Sequence, residues 1–372
     1  MLRKSDMIKN LAVYNFRCFG KTKFIGFNTI NLIGGKNNSG KTALLEALFL
    51  NLSPRAKTVL SLRRFRQESL EFAKNMPERA WSNLFYNGNI DEPLKIISYD
   101  EKDSEYHNLE ISCGQSSGFN EVFIEKETDE TLLDLRNLLS ETDARSGLDI
   151  KLVKKDKSDN ISSLIAHSKG ILTKDSKISD EKKVNYMPAA MKLSGEALAR
   201  EYDKAEIRGN AAKVLKLLQV IDKSIAEIKT FSIGEPAIYL KRLNKGDYLP
   251  ISLYGEAVFK LTDFILKIIN NPDSVLLIDE IENGIHYTNQ YGLWKMIFEL
   301  FSVFNVQIFA TTHSHEMIQA FVNAGLSDDA SKEKASYFEI AENIKSGELI
   351  GIKRDLETLK YEMSQGMGFR GE

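Results

Sequence analysis

The stretch Gly35-Lys36-Asn37-Asn38-Ser39-Gly40-Lys41-Thr42 constrains this chain more than any other. Its G-x-x-x-x-G-K-[ST] spacing makes a phosphate-binding loop only between a strand and a helix start. Both flanks are present. Thr29-Ile30-Asn31-Leu32-Ile33-Gly34 reads as a short buried strand, and Ala43 to Leu50 reads as a helix. Gly35 and Gly40 let the backbone curl around an anion without a Cβ in the way. The N–H groups of the loop, through Asn37, Asn38 and Ser39, then face phosphates together with the helix N-terminus. Lys41 is expected to reach the β- and γ-phosphates, and the Thr42 hydroxyl to bind Mg²⁺.

A second stretch completes such a site. Ser274-Val275-Leu276-Leu277-Ile278-Asp279-Glu280 is an apolar run ending in two carboxylates. Buried parallel strands have this composition, and ligands gather at their carboxyl ends. Asp279 is expected to hold Mg²⁺, and Glu280 to act as general base or orienter for an attacking water. A further strand, Val306 to Ala310, runs into Thr311-Thr312-His313-Ser314. His313, at the end of a core strand, suits a γ-phosphate contact, and Ser314 suits the N-cap of a helix over 315–324 with Gly325 just past it.

The bulk numbers agree. Of 372 residues, 42% are hydrophobic, enough for a sizeable core. A net charge of −2 argues against a surface that is basic throughout, while leaving room for a local basic patch. Cys18 and Cys113 stand far apart, which argues against a disulfide framework and fits a reducing compartment. Met1 to Asp6 lacks the apolar run of a signal peptide, and no apolar stretch is long enough to cross a bilayer. A cytoplasmic protein with no membrane partner is expected.

Taken in order, Ile8 to Phe19 and Lys23 to Phe27 read as two strands feeding the loop, an antiparallel start to the sheet. Ser53-Pro54 ends the loop helix. Arg55 to Lys74 reads as a basic helical stretch with Arg63, Arg64 and Arg66; a solvated face and a phosphate or partner contact are both open. Leu94 to Tyr99, Asn108 to Ser112 and Glu121 to Glu125 read as strands that widen the first sheet. Lys126 to Lys183 is rich in charge, with one amphipathic piece over 132–139, and reads as an inserted lid or arm, or a tolerated surface insertion. Glu201 to Lys229 reads as helical, with Val214, Leu218, Ile221, Ile225 and Ile228 forming a stripe that packs on the core. Pro236 to Leu243, a glycine turn, and Tyr248 to Ile251 read as a hairpin. Tyr337 to Ile340 and Leu349 to Ile352 read as strands, followed by a short helix over 355–362 and a glycine-bearing tail.

The fold class expected is α/β: a P-loop NTPase with a mixed sheet, an antiparallel N-terminal subdomain and a helical, charged insertion. The segments are 1–125 with the phosphate loop, 126–200 as insertion or lid, 201–250 as helical segment and hairpin, and 251–372 as the C-terminal half with both carboxylates and His313.

Four blocks carry a resemblance: Asn15 to Phe19, Gly35 to Thr42, Asp279-Glu280-Ile281-Glu282-Asn283-Gly284-Ile285-His286, and Thr311 to Glu316. With these the chain resembles the ABC-type ATPases. Within them it is similar to the stand-alone AAA/ABC ATPases related to OLD (overcoming lysogenization defect) proteins, a group that includes the ATPase subunits of anti-phage systems such as Septu and PARIS. The resemblance implies a head-to-tail dimer around two ATP molecules, each held between one phosphate loop and a signature segment of the other subunit. Ser252-Leu253-Tyr254-Gly255-Glu256-Ala257 is the candidate signature, with Ser252 and Gly255 as contacts, although Tyr254 and the spacing depart from the usual Leu-Ser-Gly-Gly-Gln. Asn283 and His286 fall where the dimer-crossing loop belongs, and Gln67 is a candidate for the glutamine loop. No counterpart of the Toprim nuclease domain of larger OLD proteins is expected after His313. The resemblance therefore implies an ATPase that controls a separate effector, a nuclease or toxin, in anti-phage defence. A RecF- or SMC-like ATPase of DNA repair or maintenance, with DNA as partner, is an alternative; a nucleotide-gated scaffold with little turnover is another.

Overall fold

The computed structural model describes residues 7–102, 104–114, 146–154, 157–176, 182–191 and 193–365. The expected strand over 121–125, the amphipathic piece over 132–139 and the glycine-bearing tail lie outside them.

Three sheets carry the described chain. β1 (Asn10–Phe16) and β2 (Phe19–Ile25) pair antiparallel as expected. β3 (Ile30–Gly35) is buried along its whole length, as a central strand must be, and leads into the phosphate loop and α1 (Lys41–Leu52). α2 (Ala56–Phe65) and α3 (Leu70–Asn75) follow. β4 (Leu94–Tyr99) and β5 (Glu105–Gly114) join β1 and widen the first sheet.

The first correction concerns the charged segment. Its described part is three strands, β6 (Ser146–Lys154), β7 (Lys157–His167) and β8 (Gly170–Asp175), which extend one antiparallel sheet in the order β2-β1-β4-β5-β6-β7-β8. It is not a lid over those residues. Leu148, Ile150, Leu164 and Ala166 enter the same core as α1, while the intervening polar residues produce the charge that suggested an insertion.

β9 (Val184–Met187) returns the chain to the site sheet, followed by α4 (Gly195–Ile207) and α5 (Ala211–Leu218). The second correction lies here. Ile225 and Ile228 belong to a strand, β10 (Ile225–Ile233), and not to a continuous helix. Asp222 ends the helical run: its carboxylate accepts from the Ser224 backbone N–H at 2.9 Å and the Ser224 hydroxyl at 2.6 Å, a local turn that competes with helix. β11 (Glu235–Arg242) and β12 (Tyr248–Pro250) form the expected hairpin and pair with β10.

A short 3₁₀ turn (Ile251–Tyr254) then leads into α6 (Glu256–Asn270), β13 (Val275–Ile278), α7 (Tyr287–Phe304), β14 (Gln307–Thr311), α8 (His315–Gly325), α9 (Asp329–Lys334), β15 (Ala335–Glu342), β16 (Leu349–Arg354) and α10 (Leu356–Ser364). Gly325 is the last residue of α8 and not the residue beyond it.

The site sheet has the order β16-β15-β3-β14-β13-β9. All its pairs are parallel except β15–β16, so the sheet is mixed, as expected. Its strands serve two cores. Leu276 and Ile278 of β13 enter one, Val275 and Leu277 the other, which is why the run is apolar at every position. α1 lies between β4 and β5 on one side and β3, β9, β13 and β14 on the other. That burial from both sides explains why its sequence carries no polar face. The described chain is thus α/β, with a mixed sheet at the phosphate loop and an antiparallel sheet beside it.

Candidate active site

The parallel strands bring the motif ends together. β14 pairs with β3 on one side and β13 on the other, so their C-terminal ends form one ledge. The phosphate loop leaves β3, the carboxylates leave β13, and His313 follows β14.

The loop is built to face an anion. Gly40 holds a left-handed φ of 93°, and a Cβ there would stand 2.7 Å from Cys18 Sγ, so only glycine fits. Gly40 is also the N-cap of α1 and gives it no side-chain cap, which leaves the first helical N–H groups for a ligand. Ser39 Oγ is buried without a hydrogen-bond partner. Lys41 Nζ donates to the carbonyls of Gly35, at 2.9 Å, and Lys36, at 2.7 Å. Burial lowers the Lys41 pKa, while Glu282, Asp279 and Glu280 work the other way. An orphan hydroxyl, uncapped N–H groups and a desolvated ammonium together suit a polyphosphate.

Asp279 is the centre of the second half. Its carboxylate accepts from Thr42 Oγ1 at 3.0 and 3.1 Å and from Thr311 Oγ1 at 2.6 Å. Burial holds its pKa above the ordinary aspartate value, and the two hydroxyls pull it back only in part. Among the described residues no group of three or more His, Cys, Asp or Glu gathers into a metal cage. One carboxylate beside one hydroxyl, completed by substrate oxygens and water, is the donor set Mg²⁺ takes with nucleotides.

Glu280 sits just past β13 with φ of 49°, a strained value for a non-glycine residue. Three contacts hold it there. Its N–H donates to Thr311 Oγ1 at 2.9 Å, its carbonyl accepts from Lys260 Nζ at 2.9 Å, and Asn283 Nδ2 donates to its carboxylate at 2.7 Å. His313 is half-exposed, and Glu282 holds it twice: the carboxylate accepts from its backbone N–H at 2.8 Å and lies 3.0 Å from Nδ1. The loop from Asn37 to Thr42, Asp279, Glu280 and His313 line one cavity of about 1210 Å³. Such an arrangement can bind a polyphosphate, hold a divalent cation at its outer oxygens, and present a carboxylate to water beside them.

Ser252 and Gly255 lie elsewhere. They line a second cavity of about 680 Å³ with Lys260 and Asn283, and none of the loop residues lines it. His286 is exposed at the start of α7, its ring bonded to the Thr288 hydroxyl at 2.9 Å. Arg66 and Glu68 line the phosphate cavity, whereas Gln67 does not. Arg63 corrects the reading of a solvated basic face: it is buried, donates to the Ala80 carbonyl and lies 5.6 Å from the Trp81 ring centre.

Thr311 and Glu282 were not singled out by sequence reasoning. Thr311 was read only as the first residue after a strand, at the head of the block that runs to Glu316. Glu282 lay in the Asp-Glu-Ile-Glu block, and its step of three from Asp279 only becomes meaningful once the turn is formed.

The AAA ATPase domain family matches residues 7–318. A protein of Helicobacter pylori (strain ATCC 700392 / 26695) described as an ATP/GTP phosphatase is 22% identical over 337 residues, covering 84% of this chain and 87% of its own. An uncharacterized protein of Methanocaldococcus jannaschii is 29% identical over 132 residues, 35% of this chain and 58% of that protein. Among solved structures, an Smc head bound to the C-winged helix domain of ScpA matches with a TM-score of 0.49 and 13% identity, over 95% of this chain and 99% of that one.

Proposed function

The chain belongs to the AAA ATPase domain family and is an ATPase, and from that premise we propose how it works and what it serves. ATP binds with its phosphates on the loop from Gly35 to Thr42, and Lys41 contacts the β- and γ-phosphates. Mg²⁺ supplies charge neutralisation at those phosphates, with Thr42 and Asp279 as its protein ligands. Glu280 accepts a proton from the attacking water, held in place by Asn283 and Thr311. His313, oriented by Glu282, contacts the γ-phosphate. The observation that carries this reading is the hydrogen bond from Thr42 to Asp279, which joins the loop to the carboxylate strand.

Within one chain Ser252 and Gly255 do not line the phosphate cavity but a separate one. That separation supports a dimer in which each copy offers Ser252 and Gly255 to the other's ATP. Closure of the dimer on ATP would then control a separate effector, a nuclease or toxin, in anti-phage defence; the Asp279 to His286 block supports this through its likeness to OLD-related ATPases.

The test is to purify Glu280→Gln with ATP, co-expressed with its genomic neighbours. The expected result is an ATP-bound dimer carrying a nuclease or toxin-like chain. Recovery of DNA alone would move the reading to repair or maintenance. A variant that turns over ATP at the wild-type rate would sink the role of Glu280.

A further inference from the structure

Besides the loop residues, Asp279, Glu280 and His313, the phosphate cavity is lined by Arg17, Arg66, Asn83, Tyr86 and Asn87. A nucleoside triphosphate whose γ-phosphate meets the carboxylates leaves its nucleoside to this remaining wall.

That wall is firmly built. Phe85 is buried and forms a bridge to Phe16 of β1. The backbone N–H of Arg17 donates to the Leu84 carbonyl at 2.9 Å, and Arg17 Nη1 donates to the Asn83 carbonyl at 2.8 Å. The Tyr86 ring lies against Gly20 of β2, where a Cβ would stand 3.2 Å from its Cε1. Asn87 and Gly88 turn the chain with left-handed φ values of 52° and 71°.

Most polar groups on this wall are already engaged. Arg17 and Arg66 donate to Glu46 at 3.1 and 2.6 Å, and the Asn83 amide donates to the Glu68 carboxylate. The Tyr86 ring and the Asn87 carboxamide have no such bond among the described residues. We propose that Tyr86 and Asn87 form the nucleobase subsite: Tyr86 stacks on the base, and Asn87 meets its polar edge. The inference rests on the phosphate-loop reading above.

A consequence for specificity follows from the chemistry. Stacking is available to every base, because each has a π-face. A carboxamide offers both donors and an acceptor, so it can turn either pole toward adenine or guanine. The subsite therefore takes ATP and GTP with similar affinity, within roughly tenfold.

The test is binding of ATP, GTP and inorganic tripolyphosphate, each titrated by calorimetry. Tyr86→Ala is expected to weaken ATP and GTP together by roughly tenfold and to leave tripolyphosphate affinity unchanged. Tyr86→Phe is expected to retain wild-type affinity for all three. The proposal is overturned if Tyr86→Ala binds ATP like wild type, or if tripolyphosphate affinity falls in parallel with ATP. Lys41→Ala separates the two readings: it should lose tripolyphosphate, and retention there would sink the phosphate-loop assignment instead.

Discussion

Thr42 Oγ1 donates to both carboxylate oxygens of Asp279, across a sequence separation of 237 residues. The contact ties the start of α1 to the end of β13, and the Thr311 hydroxyl closes the same carboxylate from the neighbouring strand. It also leaves a buried acid whose ionised form the fold disfavours.

That acid sets a pH dependence with opposite signs for stability and activity. Its folded pKa is raised, so the proton binds more tightly in the folded state. The stability this contributes is present below the ordinary aspartate pKa and is lost as pH rises through the raised value. Asp279→Asn should therefore melt higher than wild type at neutral pH without nucleotide, and the gain should vanish in acid. The same variant should lose turnover by about a hundredfold or more. Thermal melts from acid to neutral pH, beside steady-state ATP hydrolysis, check both; equal melting curves at every pH would contradict the strain on the ionised acid.

Glu280 is positioned by Asn283, so the two should differ in kind. Glu280→Gln should bind ATP and slow hydrolysis by roughly 10²- to 10⁴-fold. Asn283→Ala should keep the carboxylate yet misplace it, at a cost on the order of tenfold in kcat with little change in KM. Single-turnover kinetics distinguish them. A loss in Asn283→Ala as large as in Glu280→Gln would mean that Asn283 does more than orient.

Glu282 and His313 are in direct contact, so the two are expected to act as one unit. His313→Ala should lower kcat with a modest loss of ATP binding. Glu282→Ala should do the same, and the double variant should be no slower than the worse single one, because both remove one positioned ring. Fully additive losses would show that the pair acts independently.

Glu46 is buried on α1 between Arg17 and the half-exposed Arg66. Removing the carboxylate strands a buried guanidinium, so Glu46→Ala should cost about 3 kcal/mol in a denaturant titration. Arg66→Ala should cost less, about 1 kcal/mol, because solvent screens that partner. An equal loss for both would place the energy in packing and not in charge.

Lys41→Ala should abolish ATP binding in filter or fluorescence assays, because the loop loses the Lys41 ammonium, proposed to meet the β- and γ-phosphates. Unchanged ATP affinity in a folded variant would remove the loop from the mechanism.

Much of the site was legible because its chemistry is local. The phosphate loop, the apolar strand ending at Asp279 and Glu280, and the strand before His313 each carry their signal within about ten residues, where spacing and backbone freedom dictate the geometry. The hairpin from Glu235 to Pro250 was legible for the same reason. The middle was not. A strand of alternating charge and aliphatic residues, such as Ser146–Lys154, looks like a solvated insertion until β5 and β7 pair with it. Val214 to Ile228 kept a helical spacing although Asp222 and Ser224 break the helix by a side-chain bond.

The sequence by itself determined which residues are candidates for phosphate, metal and water chemistry, because those capacities belong to residue types at fixed short spacings. Only the tertiary structure decided which partners hold them. Thr311 under Asp279, Asn283 on Glu280, Glu282 on His313 and Glu46 beneath Arg17 are contacts made when parallel strand ends and their turns come into register. Hydrogen bonds of about 3 Å depend on that register, and a hydrophobic pattern specifies which face a strand buries without specifying which side chain its ends will meet.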